Sequence, residues 1–267
     1  MSAPPSFRDL VVATAHQKMA AAEARRHPDP LAEKPRNAII ARLSLVAEAL
    51  APQGYVLSLG QLRLNRKVGD LTFRINIQSD RNNIAGQRAA IWVHPGIYSR
   101  KVSAWTRSHA SAWIRPNAPF PLSFFGSQIG YFGEPHGWLE WDFAEPDQRR
   151  ATADNLTDAI RRRVLPVFSV FEGPIEDVVA LFDHDWHRCD GLLTFLLAHG
   201  HDAIARKALA RYFEGKPKDR VEFEALLQKF AIEGLPPYRT LGMSDLAAFA
   251  VATGFPWTTH VAAPERD

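Results

Sequence analysis

The sequence predicts an α+β fold: an antiparallel sheet of about five strands in the N-terminal half, with helices before it and an all-helical region after it. Three observations carry this. Residues 71–78, LTFRINIQ, alternate Leu71, Phe73, Ile75 and Ile77 with Thr72, Arg74, Asn76 and Gln78, the period of a half-buried strand. After residue 150 apolar residues recur at spacings of three and four between proline and glycine stops. Strand patterns come first and helix patterns after, without the alternation that a doubly wound parallel sheet requires.

Taken in order, the first 36 residues mix an alanine-rich stretch with HPDPLAEKP, which predicts a short helix ending at the prolines. Ile39, Ile40, Leu43, Val46, Ala47 and Leu50 predict a helix over 37–50, stopped by PQGY. QLRLNRKVGD and LTFRINIQS form a hairpin turning at VGD, and RAAIWVHP supplies a third strand with Ile91 and Val93 opposite Trp92 and His94. SQIGYFGEPHGWLEWDF reads as a second hairpin with GEPHG as its turn; Leu139, Trp141 and Phe143 face the core, and Trp138, Glu140 and Asp142 face away. Residues 100–122 show no period and are expected to be an irregular excursion.

From 150 onward a helix capped at Thr152 or Asp154 is interrupted at Pro166 and stopped at Gly173. PIEDVVALFDH starts another, followed by helices near 190–199, 202–214 and 219–232, and a last one in MSDLAAFAVATG capped by Ser244 or Asp245. The domain reading is therefore an N-terminal segment 1–36, a sheet domain 37–182 and a helical subdomain 183–267.

Composition excludes several classes. The 267 residues, 46% hydrophobic and 23% charged, suit an ordinary globular protein with a substantial core. The opening lacks the apolar core of a signal peptide, and no later run is long enough for a membrane helix. The single cysteine closes no internal disulfide, so a cytoplasmic location is expected. Net charge is only +3, and Arg161, Arg162 and Arg163 spread around a helix rather than forming a stripe, the pattern of a solvated face. Charge alone does not make this a nucleic-acid protein; that alternative would rest on Arg63, Arg66, Lys67 and Arg74.

FDHDWHRCDG, residues 182–191, has the densest concentration of chemistry-bearing side chains. On one helix Asp183, His187 and Asp190 would share a face with His184 beside them, a set able to hold zinc or iron, with His199, His201 and Asp202 downstream. Against this, Gly191 marks a helix junction, where Asp190 and Asp202 serve as caps, and no H-E-x-x-H or C-x-x-C spacing is present. No metal or cofactor is therefore expected. Cys189 beside His187 reads as a buried thiol, not a nucleophile, and FFGSQIG is not a nucleophile elbow.

Strand parity gives a better candidate. Arg63, Asn65, Arg74, Asn76, Gln78, Trp92, His94, Trp138, Glu140 and Asp142 all turn away from the aliphatic side. Antiparallel sheets commonly leave such a face wet, whereas Arg and Trp together are anchors of protein interfaces. The expectation is a binding surface, with Arg74 paired to Glu140 or Asp142. A weaker reading makes Glu140, Asp142 and His94 an acid–base set for a hydrolase or nuclease.

The segments LRLNRK, LTFRINIQS, IWVHPGIY, IGYF, GWLEWDF and VLPVF resemble, over residues 38–182, a group of uncharacterised bacterial α+β domains. The FxR element of that group is matched here only by the adjacent Phe73 and Arg74. The resemblance implies a bacterial origin and allows an immunity or accessory protein acting on a toxin or in phage defence. Joined to the missing catalytic set, it favours a non-enzymatic module whose partner is a protein.

Overall fold

The computed structural model describes residues 32–109, 123–183, 189–236 and 242–254, without the side chains of Asp183 and Cys189. The expected N-terminal helix lies outside the described residues. The architecture is α+β, as the periodicities predict. Helix α1, Pro35–Leu50, begins with proline in its first turn, buries Ile39, Leu43, Val46 and Leu50, and ends through a 3-10 turn at Gly54, whose φ is +83°.

The sheet contains β1 (Val56–Ser58), β2 (Arg63–Val68), β3 (Leu71–Ser79), β4 (Ala90–Ser99), β5 (Ser123–Gly126) and β6 (Trp141–Asp142). Strands β1 to β5 lie in sequence order, and β6 pairs with β4. The antiparallel registers set Val56 opposite Asn65, Ile97 opposite Phe125 and Ile91 opposite Trp141. In β3 the buried residues are Leu71, Phe73, Ile75 and Ile77, the predicted set.

Two features differ from the sequence reading. Residues 100–109 are not irregular but form α2, Arg100–His109, whose start is held by Ser99: its hydroxyl accepts Val102 N–H at 2.9 Å and donates to Asp70. Residues 128–143 are not a hairpin. Gln128 takes the place of a pairing strand, donating from Nε2 to Leu139 O at 2.5 Å and accepting Gly130 N–H at 2.7 Å, so Ile129–Tyr131 tightens into a 3-10 turn. Gly130 permits this because a Cβ there would sit 1.7 Å from Gly137 O.

The helices are α3 (Arg149–Ala159), a π turn (Ile160–Val164), α4 (Leu165–Val170), a 3-10 segment (Ile175–Asp183), α5 (Cys189–Ala198), α6 (Asp202–Glu214), α7 (Pro217–Glu233) and α8 (Met243–Thr253). Thr152 and Asp154 lie inside α3, so neither caps it. Asp190, Asp202 and Asp245 sit in first turns, where a carboxylate favours the helix dipole, and the residues before α6 and α8, His201 and Gly242, make no side-chain cap.

The chain divides into two compact units. The described part of one comprises residues 32–65, 75–94 and 128–164; in it α1 packs on α3, and Leu43, Val46, Leu156 and Ile160 are fully buried. The other comprises 66–74, 95–109, 123–127 and the described residues from 165 on. Phe73 packs on Phe168 there at 5.1 Å, and Phe124 stacks on Phe195 at 5.1 Å where β5 meets α5. No helix among the described residues is long and apolar enough to cross a membrane.

Candidate functional site

In the first unit, β3, β4 and the segment entering β6 bring five of the predicted surface residues together. Trp138, 54% exposed, lies edge-on to the Trp92 ring at 5.6 Å and to the His94 ring at 5.8 Å. Edge-to-face pairs of this kind contribute about 0.5–1.5 kcal/mol beyond the area they bury. Trp92 Nε1 donates to Glu140 at 2.8 Å, and Asn76 Nδ2 donates to the His94 carbonyl at 3.2 Å. Trp138 is thus an exposed ring on a fixed mount.

The mount depends on two residues that were not singled out. Arg88 bridges Glu140 at 2.7 Å and Asp80 at 3.0 Å, and the Asp80 carboxylate is nearly inaccessible. Burial opposes the charge of the guanidinium, but Glu140 and Asp80 together outweigh it and hold its pKa above the ordinary value. Both residues were visible by parity: Asp80 continues the even positions of β3, and Arg88 precedes Trp92 and His94 in the even positions leading into β4. Between them Asn83 acts as a substitute strand, accepting Ala90 N–H at 2.7 Å and donating to Ala90 O at 2.8 Å.

His94 differs from its neighbours. Its Nε2 is buried with no hydrogen-bond partner among the described residues, and burial pushes its pKa below the ordinary histidine value. It is neutral near pH 7. Asp142 is committed to the backbone, accepting the N–H groups of Ala89 at 2.8 Å and Ala144 at 2.9 Å. Both carboxylates of the expected acid–base set are therefore engaged as hydrogen-bond acceptors, which suits a scaffold better than proton transfer.

The remaining candidates fall elsewhere. Arg63 and Asn65 are half-buried on β2, and Gln78 is exposed at the end of β3. Arg74 belongs to the second unit and lies over the Tyr98 ring at 4.2 Å, so its partner is an aromatic face and not Glu140 or Asp142. Arg66 forks onto Glu172, which leaves the proposed phosphate-binding set without an uncommitted pair of neighbouring arginines. The three consecutive arginines do spread: Arg161 and Arg162 are exposed and Arg163 is half-buried, with Arg161 donating to Ala49 O at 2.7 Å and Arg163 to Gly133 O at 2.6 Å.

In the FDHDWHRCDG motif His184 and His187, with the side chains of Asp183 and Cys189, lie outside the described residues. The 3-10 segment ends at Asp183 and α5 begins at Cys189, so Asp183 and Asp190 do not share one α-helix. Gly191 is not a stop but part of α5, where a Cβ would meet Phe124 O at 1.8 Å. Close packing on β5 requires glycine there. Among the described residues no three His, Cys, Asp or Glu side chains are placed to share a metal ion. A separate polar cluster in the second unit sets His199 Nε2 4.0 Å from Asp70, with His199 Nδ1 2.8 Å from Phe195 O. Asp70 and Ser99 are occupied in starting α2, so this is not the relay of a nucleophilic triad.

Beside β6 an open cleft of about 540 Å³ separates residues 139–142 from α3 and the π turn, with Asp142, Asn155 and Arg162 among its lining. No protein-family model, curated protein or solved structure matches the chain.

Proposed function

We propose that the chain is a non-enzymatic binding module whose partner is a protein, anchored by Trp138. The observation that carries the reading is an indole more than half exposed yet fixed edge-on against Trp92 and His94. A rigid aromatic ring loses little conformational freedom on docking, and such residues dominate interface energetics. Around it, Arg88 and Glu140 form a paired polar rim, already neutralised and so inexpensive to cover. The engagement of Glu140 and Asp142 by Arg88, Trp92 and backbone N–H groups favours this reading over a hydrolase. A toxin is the partner class that the resemblance of the sequence suggests.

The test is capture of partners by the whole chain, followed by titration of each with Trp138→Ala and, as control, Val221→Ala. Removing a central Trp anchor is expected to cost roughly 2 kcal/mol, about thirtyfold in affinity. Val221, exposed on α7, should have no effect. Partners that bind Trp138→Ala as tightly as the wild type would overturn the assignment.

A further inference from the structure

We propose that the first unit carries a second site, a groove that accepts an extended peptide bearing an acidic side chain, added as a strand along the free edge of β6. The inference does not rest on the role of Trp138. Its first support is the direction of the backbone. Ala90 N–H donates to Asn83 and Ala90 C=O accepts from Asp80 N–H, so both groups point away from β6. Asp142 stands opposite Ala90 in the antiparallel register. In such a pair the partner's N–H and C=O also turn outward, away from β4. Phe143 N–H, one residue on, donates back to Ala89 O, as this alternation demands. Asp142, whose main-chain groups turn away from β4, is also one of the residues that line the cleft.

The far wall is one face of a helix. Thr152, Asn155, Ala159 and Arg162 follow one another at spacings of three, four and three, and all line the cleft. The first three are short, and the reach across the gap is made by the Trp141 indole, which donates to Asn155. A residue in a strand fills roughly 160 Å³, the product of its rise, the strand spacing and the sheet thickness. The cleft of about 540 Å³ therefore holds about three such residues.

The groove also has polarity. Helix α3 follows β6 through residues 143–148, which puts its start near Asp142; Arg162 comes ten residues after Thr152, about 15 Å farther along. Arg162 uses only Nε, 3.4 Å from Asp158 O, and its terminal nitrogens have no partner among the described residues. Asn155 Oδ1 accepts Trp141 Nε1 at 2.9 Å, which fixes the amide and leaves its NH₂ as a donor. Arg162 attracts a carboxylate, and Asp142 at the opposite end repels one, so the acidic side chain is placed toward Arg162. Main-chain pairing then gives affinity and the charge gives selectivity.

The experiment uses the whole chain against a library of N-acetylated, C-amidated hexapeptides, with the best-retained peptide measured by fluorescence anisotropy. Retained peptides should share Asp or Glu at one position. Arg162→Glu should weaken that peptide at least tenfold and shift the library preference to Lys or Arg. Ala151→Phe, an exposed helix position at the rim, should block the groove to a similar extent, and N-methylation of the pairing residue in the peptide should abolish binding. Trp138→Ala should change nothing. Retention of no peptide, survival of binding in Ala151→Phe, or loss in Trp138→Ala instead would overturn the groove. The partner test with Trp138→Ala is read separately, so either site can fail without the other.

Discussion

Replacing Arg88 with methionine removes the cation that holds the mount of Trp138 and keeps the aliphatic stem. Arg88 makes two contacts to Asp80, from Nε at 3.3 Å and from a terminal nitrogen at 3.0 Å, and one to Glu140 at 2.7 Å. Asp80 keeps the Asn82 N–H, donated to its carboxylate at 2.9 Å, in a site where its side chain is 4% exposed. Breaking a fully buried ion pair by deleting one partner costs about 3–5 kcal/mol. Arg88 is 28% exposed and Glu140 33%, so water softens the loss, and about 2 kcal/mol is expected at pH 7 and low salt. Chemical denaturation gives this number directly. The reasoning has a sharper consequence: the cost is that of a stranded Asp80 charge, so Asp80→Asn added to Arg88→Met should recover most of it. Asparagine keeps an oxygen for Asn82 N–H and carries no charge. A single variant within 0.5 kcal/mol of the wild type, or a double variant no more stable than Arg88→Met, would refute the account, since an unpaired buried charge would then not be the source of the cost.

His94 and His199 are both held below the ordinary histidine pKa, chiefly by burial, so the unfolded chain binds protons that the folded chain does not; stability should be complete above about pH 6.5 and fall as pH drops through the folded values. His94→Phe should flatten its share of that slope, measured as melting temperature from pH 7.5 to 5. Gly191→Ala should destabilise by about 3 kcal/mol or more in urea titration, because its Cβ meets backbone and not a movable side chain. Phe168→Ala should cost about 3–5 kcal/mol by emptying a fully buried ring site against Phe73. Trp138→Ala should cost less than either of these, since over half of its ring is already in water.

The strands were legible where one face is buried, because a slip of one residue would move Phe73, Ile75 and Ile77 out of the core. The same parity placed Trp92, His94 and Glu140 on the other face, and only the pairing of β6 with β4 put Trp138 over both rings. What could not be read was any case where a side chain replaces backbone. Gln128 occupies the position of a strand partner for Leu139, so residues 128–143 do not follow the expected hairpin, and Asn83 fills the same role for Ala90 in the connection from β3 to β4. Periodicity reports which side chains want burial; it is silent on which polar side chains complete a ladder.

The glycines show the same limit from the backbone side. In a sequence Gly173, after an apolar run, and Gly191, after a polar one, both read as helix ends. Gly173 closes the turn after α4, whereas Gly191 lies within α5 because Phe124 O comes too near for any Cβ. That contact joins residues 67 positions apart, so no local window contains its cause. The metal reading of FDHDWHRCDG turned on the same residue: with Gly191 inside α5, the helix starts at Cys189 and leaves Asp183 on the preceding 3-10 segment. The arrangement that would have put Asp183, His187 and Asp190 on one α-helical face needs Asp183 on an α-helix, whereas it ends a 3-10 segment; His187 lies outside the described residues.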